Sequence, residues 1–354
     1  MDCKLTVIVT TYNIAEYLPR FFDCMKAQTF TDYCLLVLDD GSSDNSLEIC
    51  RQRAAEDERI KVIASEHIGI ARIKNLSLQH IDTPLTAFVD GDDIVTPDYL
   101  RHLVDAIEKY NADLAISRVK YLREKDMVQT AETPPRGETF ISEAELQDWI
   151  PTLLEERRLN YFYAKVYRSE LLKPLRIEED VKQGSDTMLV IQYMHKAKSV
   201  VLIDDLDYHY IKYGTRSITS YSGKEAFARL LRVNLYVRDH CRDHNTLTDK
   251  LNHVIDGRIL LAGIWVTDKI LASDLPDDEK IAQLSGVLEN EEYTASYQRQ
   301  KNNFDYDFTP IPPQSGKEYY NSKLRSKKKA KFRGKLAKLC PQFIIKLYHK
   351  TQNK

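Results

Sequence analysis

Apolar and polar positions alternate in blocks along the first hundred residues. Unbroken apolar runs at Leu5–Thr10, Cys34–Asp39, Ile60–Ala64 and Leu85–Asp90 predict strands buried on both faces. Between them, helical spacing predicts helices over Ala15–Gln28, Asn45–Glu56 and Gly69–His80, the second with Asp44 as its N-cap. This alternation predicts an α/β fold with a doubly wound, mostly parallel sheet, which binds ligands beyond the carboxyl ends of its strands. A further strand pattern covers Ala112–Leu122, and Pro134-Pro-Arg-Gly137 reads as a surface loop. Helical patterns over Ser142–Glu156 and Ser185–Lys198 follow, then a strand at Val200–Asp204. Residues 221–300 show helical spacing alone, including Lys224–His240 and Leu251–Ala272.

These patterns divide the chain into a domain over 1–220, a helical subdomain over 221–301, a Pro-containing linker over 302–316 and a tail over 317–354. Charge changes the picture of the tail. The 354 residues sum to −2, but Lys317–Lys354 holds 13 basic residues against Glu318 alone, a charge of +12 that leaves −14 on the rest. Within Lys327–Tyr348, Phe332, Leu336, Leu339, Phe343 and Leu347 share one helical face among lysines and arginines. A basic amphipathic helix binds anionic lipid, so the tail predicts a protein of the cytoplasm held peripherally on the inner face of the cell membrane. Nucleic acid is the competing partner, disfavoured because few aromatic residues stand ready to stack on bases. Docking on the acidic body or on a partner subunit is the third reading, and an oligomer stays open.

The longest apolar run, Ile259–Val266, is eight residues, too short to span a bilayer, and the N-terminus shows no secretion signal. The six cysteines have no C-x-x-C spacing, which predicts neither a zinc site nor disulfides and fits a reducing compartment.

Polar residues collect where the predicted strands end: Thr10-Thr-Tyr-Asn13, Asp39-Asp-Gly-Ser-Ser-Asp44 and Asp90-Gly-Asp-Asp93. Loops are often acidic for solubility alone, but three on one sheet edge point to a site. Carboxylates spaced one apart at a strand end suit a hard divalent cation with open positions for phosphate oxygens. The competing reading is a turn whose aspartates accept local backbone hydrogen bonds.

Taken together, Val7-Ile-Val-Thr-Thr-Tyr-Asn13, Val37-Leu-Asp-Asp-Gly-Ser-Ser-Asp44 and Ala87-Phe-Val-Asp-Gly-Asp-Asp93 resemble the family 2 glycosyltransferases, inverting enzymes of the GT-A fold that use nucleotide-sugar donors. The resemblance covers roughly residues 4–215. It implies that Thr10 and Tyr12 hold the nucleobase and that Asp40 accepts the uracil imide hydrogen, which favours a UDP-sugar. Asp39 caps the turn. Asp90 contacts ribose and Asp92 binds Mn2+ or Mg2+ at the diphosphate, while Asp93 is a supporting acid or a helix cap. In Gly69-Ile-Ala-Arg-Ile-Lys-Asn75, Lys74 and Asn75 match a donor-binding Ala-Arg-Asn element, with Arg72 as the competing cation.

The family's Glu-Asp pair at a helix start matches Ser185-Asp186, which makes Asp186 the catalytic base; Glu179-Asp180 is the rival, and a helix N-cap is the structural alternative. Tyr208-His-Tyr-Ile-Lys-Tyr-Gly-Thr-Arg-Ser217 resembles a loop that closes over the diphosphate. There His209, or else Tyr210, meets the metal or the phosphates, and Arg216 and Ser217 contact phosphate. Lys165 lies where the family lines the acceptor side. The implied reaction moves a sugar from a UDP-sugar to a hydroxyl of a glycan or lipid-linked acceptor in cell-surface polysaccharide or glycoconjugate synthesis. Two alternatives are a haloacid-dehalogenase-like phosphatase, whose D-x-D belongs at the first strand, and a scaffold that binds nucleotide or glycan without catalysis.

Overall fold

A strand covered on both faces needs apolar side chains at successive positions, and the chain supplies them where the pattern predicts. The computed structural model describes residues 3–213, 223–302 and 309–324. Its elements begin with β1 (Leu5–Thr11), α1 (Leu18–Lys26), β2 (Tyr33–Asp40), α2 (Ser46–Glu56), β3 (Ile60–Ser65), α3 (Ile70–Gln79) and β4 (Leu85–Phe88). Next come β5 (Ile94–Val95), α4 (Tyr99–Lys109), β6 (Leu114–Ile116), β7 (Val119–Arg123), β8 (Val128–Glu132), β9 (Thr139–Ile141) and α5 (Glu143–Glu155). After these lie β10 (Lys165–Arg168), α6 (Ser169–Leu172), α7 (Ser185–Met194), β11 (Val200–Leu202) and β12 (Tyr208–Lys212). Helices α8 (Lys224–Asp243), α9 (Asp249–Ala272), α10 (Asp277–Leu288) and α11 (Glu291–Gln300) follow.

The large sheet runs β3-β2-β1-β4-β10-β6-β11-β9. Its first four strands are parallel, as the alternation predicts, and β10 runs antiparallel between β4 and β6. Leu5, Val7, Val9, Leu35 and Val37 pack under α1 and α4, whose apolar faces complete the core. A second sheet, β5-β12-β7-β8, is absent from the sequence reading. The strand expected over Ala112–Leu122 instead divides between the sheets. It breaks at Ser117-Arg118, where the Ser117 amide bonds to the Ala164 carbonyl (3.0 Å) and the Arg118 Nε to the Thr133 carbonyl (2.8 Å).

The cysteine expectation is also corrected: Cys3 and Cys34 are joined by a disulfide. Parallel pairing sets Thr6 opposite Cys34 and so brings Cys3, two residues before β1, beside β2, a proximity that linear spacing does not reveal. Cysteine usage therefore no longer argues for a reducing compartment.

The chain forms two compact units whose boundary differs from the expected one. The first combines the described residues up to Tyr213 with Arg229–Ile255, so most of α8 belongs to it. The reason lies in what α8 meets. Arg232 pairs with Glu178 and Asp180, and the Tyr236 hydroxyl accepts a hydrogen bond from Gln192 Nε2 (2.8 Å).

The second unit contains residues 223–228 and the described residues from Asp256 onward. Within it, the buried carboxylate of Asp256 accepts bonds from Arg299 and Gln300. The expected linker is packed where it is described: the Tyr293 hydroxyl donates to the Ile311 carbonyl (2.7 Å), and the Gly316 amide to Ser285 Oγ (3.0 Å). Residues 316–324 are helical, with Tyr319 and Tyr320 buried, so the expected tail begins as part of this unit. Residues 325–354, which carry most of the amphipathic pattern, lie outside the described residues. Among the described residues no helix is long and apolar enough to cross a membrane.

Candidate active site

The parallel strands β1, β2 and β4 end on one edge of the sheet, and the three polar motifs meet there. Asp39, fully buried, ties two of them together. Its carboxylate accepts from Thr11 Oγ1 (2.9 Å), the Ser42 amide (3.0 Å) and Ser42 Oγ (2.6 Å), which is the turn-holding role the sequence predicts. The Asp40 carboxylate accepts from the amides of Ile68 (2.7 Å) and Gly69 (3.1 Å) and lies 3.1 Å from His67 Nδ1. Gly41 permits this approach, because a Cβ there would stand 2.5 Å from the His67 nitrogen, and its φ of +71° is left-handed. Tyr12, exposed beyond the half-buried Thr10, stacks on His67 with centroids 4.2 Å apart. Tyr12 and Asp40 are thus brought together, with Thr10 near the same strand end. His67, which no motif points to, joins them.

In the acidic turn each aspartate has a different environment. Asp93 is buried and is no helix cap. It accepts from the Tyr208 hydroxyl (2.7 Å) and the Ile211 amide (2.8 Å), fastening the turn to β12. Burial pushes Asp90 up to about 7; Lys74 opposes this, and the charges of Asp92 and Asp186 add to it. Burial raises Asp92 as well, opposed by Arg20. The Arg20 guanidinium donates to the Asp92 carbonyl (2.6 Å) and to the Tyr213 hydroxyl (2.9 Å), which itself donates to that carbonyl (2.6 Å). Arg20 and Tyr213 were not legible as site residues: Arg20 reads as an ordinary polar position on α1.

The base candidates separate clearly. Lys74 on α3 forms an ion pair with Asp186 on α7, and Asp90 feels both charges. Gly184 takes the N-cap position of α7 with φ +80°, so Asp186 lies in the first turn and does not cap it. A Cβ on Gly184 would meet Val233 Cγ2 at 2.1 Å, so glycine is required where α8 presses on this turn. The rival acids are turned elsewhere: Asp180 pairs with Arg232 and Glu179 with Arg72, all exposed. Lys74, not Arg72, is the cation of α3 in the acidic cluster. Below Asp186, Lys165 Nζ donates to the carbonyls of Tyr161 (2.8 Å) and Tyr163 (3.1 Å), and burial pushes it down to about 7 against the pull of Asp186.

Two expectations require correction. The Asn75 side chain is committed to the backbone of Ile177, donating to its carbonyl and accepting from its amide, both at 2.8 Å. It anchors the segment before α7 and is not free for a donor. His209 is not brought to Asp92. On β12 it alternates with Tyr208 and Tyr210, and its Nε2 lies 3.1 Å from the Leu206 carbonyl. Burial lowers its pKa, with Lys120 adding to the effect. Tyr210 is the neighbour that feels Asp93, Asp90 and Asp92. Arg216 and Ser217 lie outside the described residues.

The donor set fits a hard divalent cation: burial raises both Asp90 and Asp92, the Asp92 charge adds at Asp90, and a cation would offset the cost of holding these carboxylates ionised. Elsewhere among the described residues, His102, Asp205 and Asp207 bring ligand atoms within 4.8 Å of one another. They share no residue with the acidic turn.

Residues 6–165 match the model of glycosyl transferase family 2. The glycosyltransferase GlyA of Streptococcus pneumoniae is 35% identical over 126 residues, 36% of this chain and 18% of that protein. The uncharacterized glycosyltransferase EpsJ of Bacillus subtilis is 26% identical over 210 residues, 58% of this chain and 60% of that one. The Staphylococcus aureus poly(ribitol-phosphate) beta-N-acetylglucosaminyltransferase TarS is 23% identical over 239 residues, 65% of this chain and 39% of that one. The chain thus spans less than two thirds of each of these relatives. The crystal structure of S. aureus TarS residues 1–349 with UDP-GlcNAc superposes with a TM-score of 0.62 at 17% identity, covering 84% of this chain and 88% of that one, a likeness of fold. With its D-x-D after β4 rather than the first strand, the chain does not have the phosphatase arrangement; over residues 6–165 it is similar to glycosyl transferase family 2.

Proposed function

We propose that this protein is an inverting glycosyltransferase that moves a sugar from a UDP-sugar to a hydroxyl of a glycan or lipid-linked acceptor in cell-surface polysaccharide synthesis. The observation that carries the proposal is the meeting of Asp90, Asp92, Lys74 and Asp186, from three separate segments, at the carboxyl edge of the parallel strands. TarS, a relative in sequence and fold, binds UDP-GlcNAc, which makes that nucleotide sugar the first donor to test.

In this reading uracil lies on Tyr12, with His67 and the Asp40 turn framing the base pocket, and ribose lies near Asp90. Asp90 and Asp92 would hold a divalent cation, which when bound offsets the negative charge of the diphosphate. Lys74 supplies positive charge to the departing diphosphate. Asp186 takes the proton of the acceptor hydroxyl as its oxygen bonds to the anomeric carbon. The bond from that carbon to the diphosphate breaks, UDP leaves with the electron pair, and a single displacement inverts the centre. Lys165, held by two carbonyls, is fixed in place on the acceptor side. The basic segment 317–354 would hold the enzyme on an anionic membrane, where lipid-linked acceptors reside.

The test is UDP release from UDP-GlcNAc and other UDP-sugars with Mg2+ or Mn2+, with and without glycan acceptors. Acceptor-dependent release supports the transferase. Binding without turnover of any donor would support the scaffold instead. Flotation with vesicles containing anionic lipid, comparing the full chain with one lacking 325–354, which leaves the packed residues 316–324 in place, tests the membrane contact.

A further inference from the structure

Two groups with separate tasks in the proposed reaction are found in contact. The Lys74 ammonium lies on Asp186 Oδ1, the oxygen that also faces Ser185 Oγ at 3.2 Å. Both side chains are largely withdrawn from water, 11% and 19% exposed, so the pair is weakly screened. Lys74 Nζ also lies 4.9 Å from the centre of the Phe162 ring. The Asp186 oxygen that meets the ammonium is occupied and is not open to an acceptor hydroxyl. An ammonium neutralised by a carboxylate likewise does little for a leaving diphosphate. The same contact withholds both.

A diphosphate beside Asp90 and Asp92 would offer the lysine a stronger anionic partner at short range, since Asp90 already feels its charge. Lysine suits such an exchange. Its ammonium is a point charge on a flexible four-carbon stem, whereas an arginine fork would lock onto one carboxylate in bidentate geometry. Lys165 cannot follow, because its Nζ is tied to the carbonyls of Tyr161 and Tyr163.

We infer that Lys74 works in two positions, on Asp186 when no donor is bound and on the diphosphate when one is, so that the donor itself frees the base. The inference rests on the function proposed above. It predicts that Asp186 and the diphosphate compete for one ammonium, and competition is measurable in binding without turnover.

Calorimetric affinities for UDP and for uridine, both with Mg2+, form a double-mutant cycle over Lys74→Met and Asp186→Asn. Removing the Asp186 charge should release Lys74 and tighten UDP roughly tenfold while leaving uridine unchanged. In the Lys74→Met background the same change should have no effect on UDP. Asp186→Ser, neutral and smaller, is measured alongside as a second variant and should tighten UDP in the same way. Unchanged or weakened UDP binding in both Asp186 variants, with uridine binding intact, overturns the two-position lysine. So does equal tightening with and without Lys74. Turnover of UDP-GlcNAc is read separately: its loss in Asp186→Asn without tighter UDP rejects the exchange and keeps the base, whereas its retention rejects the base itself.

Discussion

The Tyr208 hydroxyl donates to the Asp93 carboxylate at 2.7 Å and accepts from the Asp90 amide at 3.1 Å, so one side chain of β12 fixes both ends of the acidic turn. The Tyr208 ring is itself held, stacked on Tyr163 with centroids 4.3 Å apart. Tyr208→Phe keeps the stack and removes both bonds, leaving a buried carboxylate short of one partner. It should cost about 1–3 kcal/mol in chemical denaturation and weaken metal-dependent donor binding, because Asp92 lies between the two anchored residues. An unchanged stability would show that the turn is held elsewhere.

Gly184 and Gly69 both have positive φ but different surroundings. A Cβ on Gly69 meets nothing within 4 Å, whereas one on Gly184 strikes Val233. Gly69→Ala should therefore cost about 1–2 kcal/mol from backbone strain. Gly184→Ala should cost about 2–5 kcal/mol and lower turnover by displacing Asp186. Adding Val233→Ala should restore part of the Gly184→Ala loss, as read by thermal melting and activity together.

Tyr12 is exposed and stacked on His67, the arrangement of a platform that a base can join or enter. Tyr12→Ala should weaken uridine and UDP by a similar factor, about 5- to 150-fold for a lost stack of ~1–3 kcal/mol. Tyr12→Phe should retain most of the affinity. A loss confined to UDP would place Tyr12 at the phosphates.

Acid should loosen the helix behind the base. His195, after α7, packs its ring against His240 of α8 and His244 just beyond it, with centroids 4.2–4.8 Å apart across the three rings. Burial, with His195 and His244 adding, pushes His240 down from 6.5 to about 4, and its Nε2 has no hydrogen-bond partner. A depressed histidine means that the unfolded chain binds the extra proton, so stability is full above pH ~6.5 and is lost as pH falls towards 4. Melting temperatures between pH 7 and 4.5 should fall less steeply in His240→Asn than in the parent protein. Parallel curves would show that the cluster is not what titrates.

Much of this was legible, for physical reasons. β1, β2 and β4 are buried on both faces and so appear as unbroken apolar runs, whereas β3, read the same way, is a half-exposed edge strand; the rule that parallel sheets bind at strand ends led to Asp40, Asp90 and Asp92. Asp186 was found from the helix and strand that follow it. What stayed hidden lacks a local signature. β10 has four residues and begins on a buried lysine, β8 is exposed throughout, and β5 has only two residues. Asn75 was misassigned because matching a motif position does not reveal that Ile177 takes its amide. His209 was misassigned because strand alternation matters only once β12 is known to face the acids through Tyr208. The partnership of Cys3 with Cys34 depends on strand order.

The central claim, that Asp186 is the base in a sugar transfer, is tested most directly by single-turnover kinetics of Asp186→Asn with a UDP-sugar that the parent protein turns over. The account predicts a rate lower by roughly 10²- to 10⁴-fold, with nucleotide binding retained. A variant that transfers sugar at a near-normal rate would contradict it.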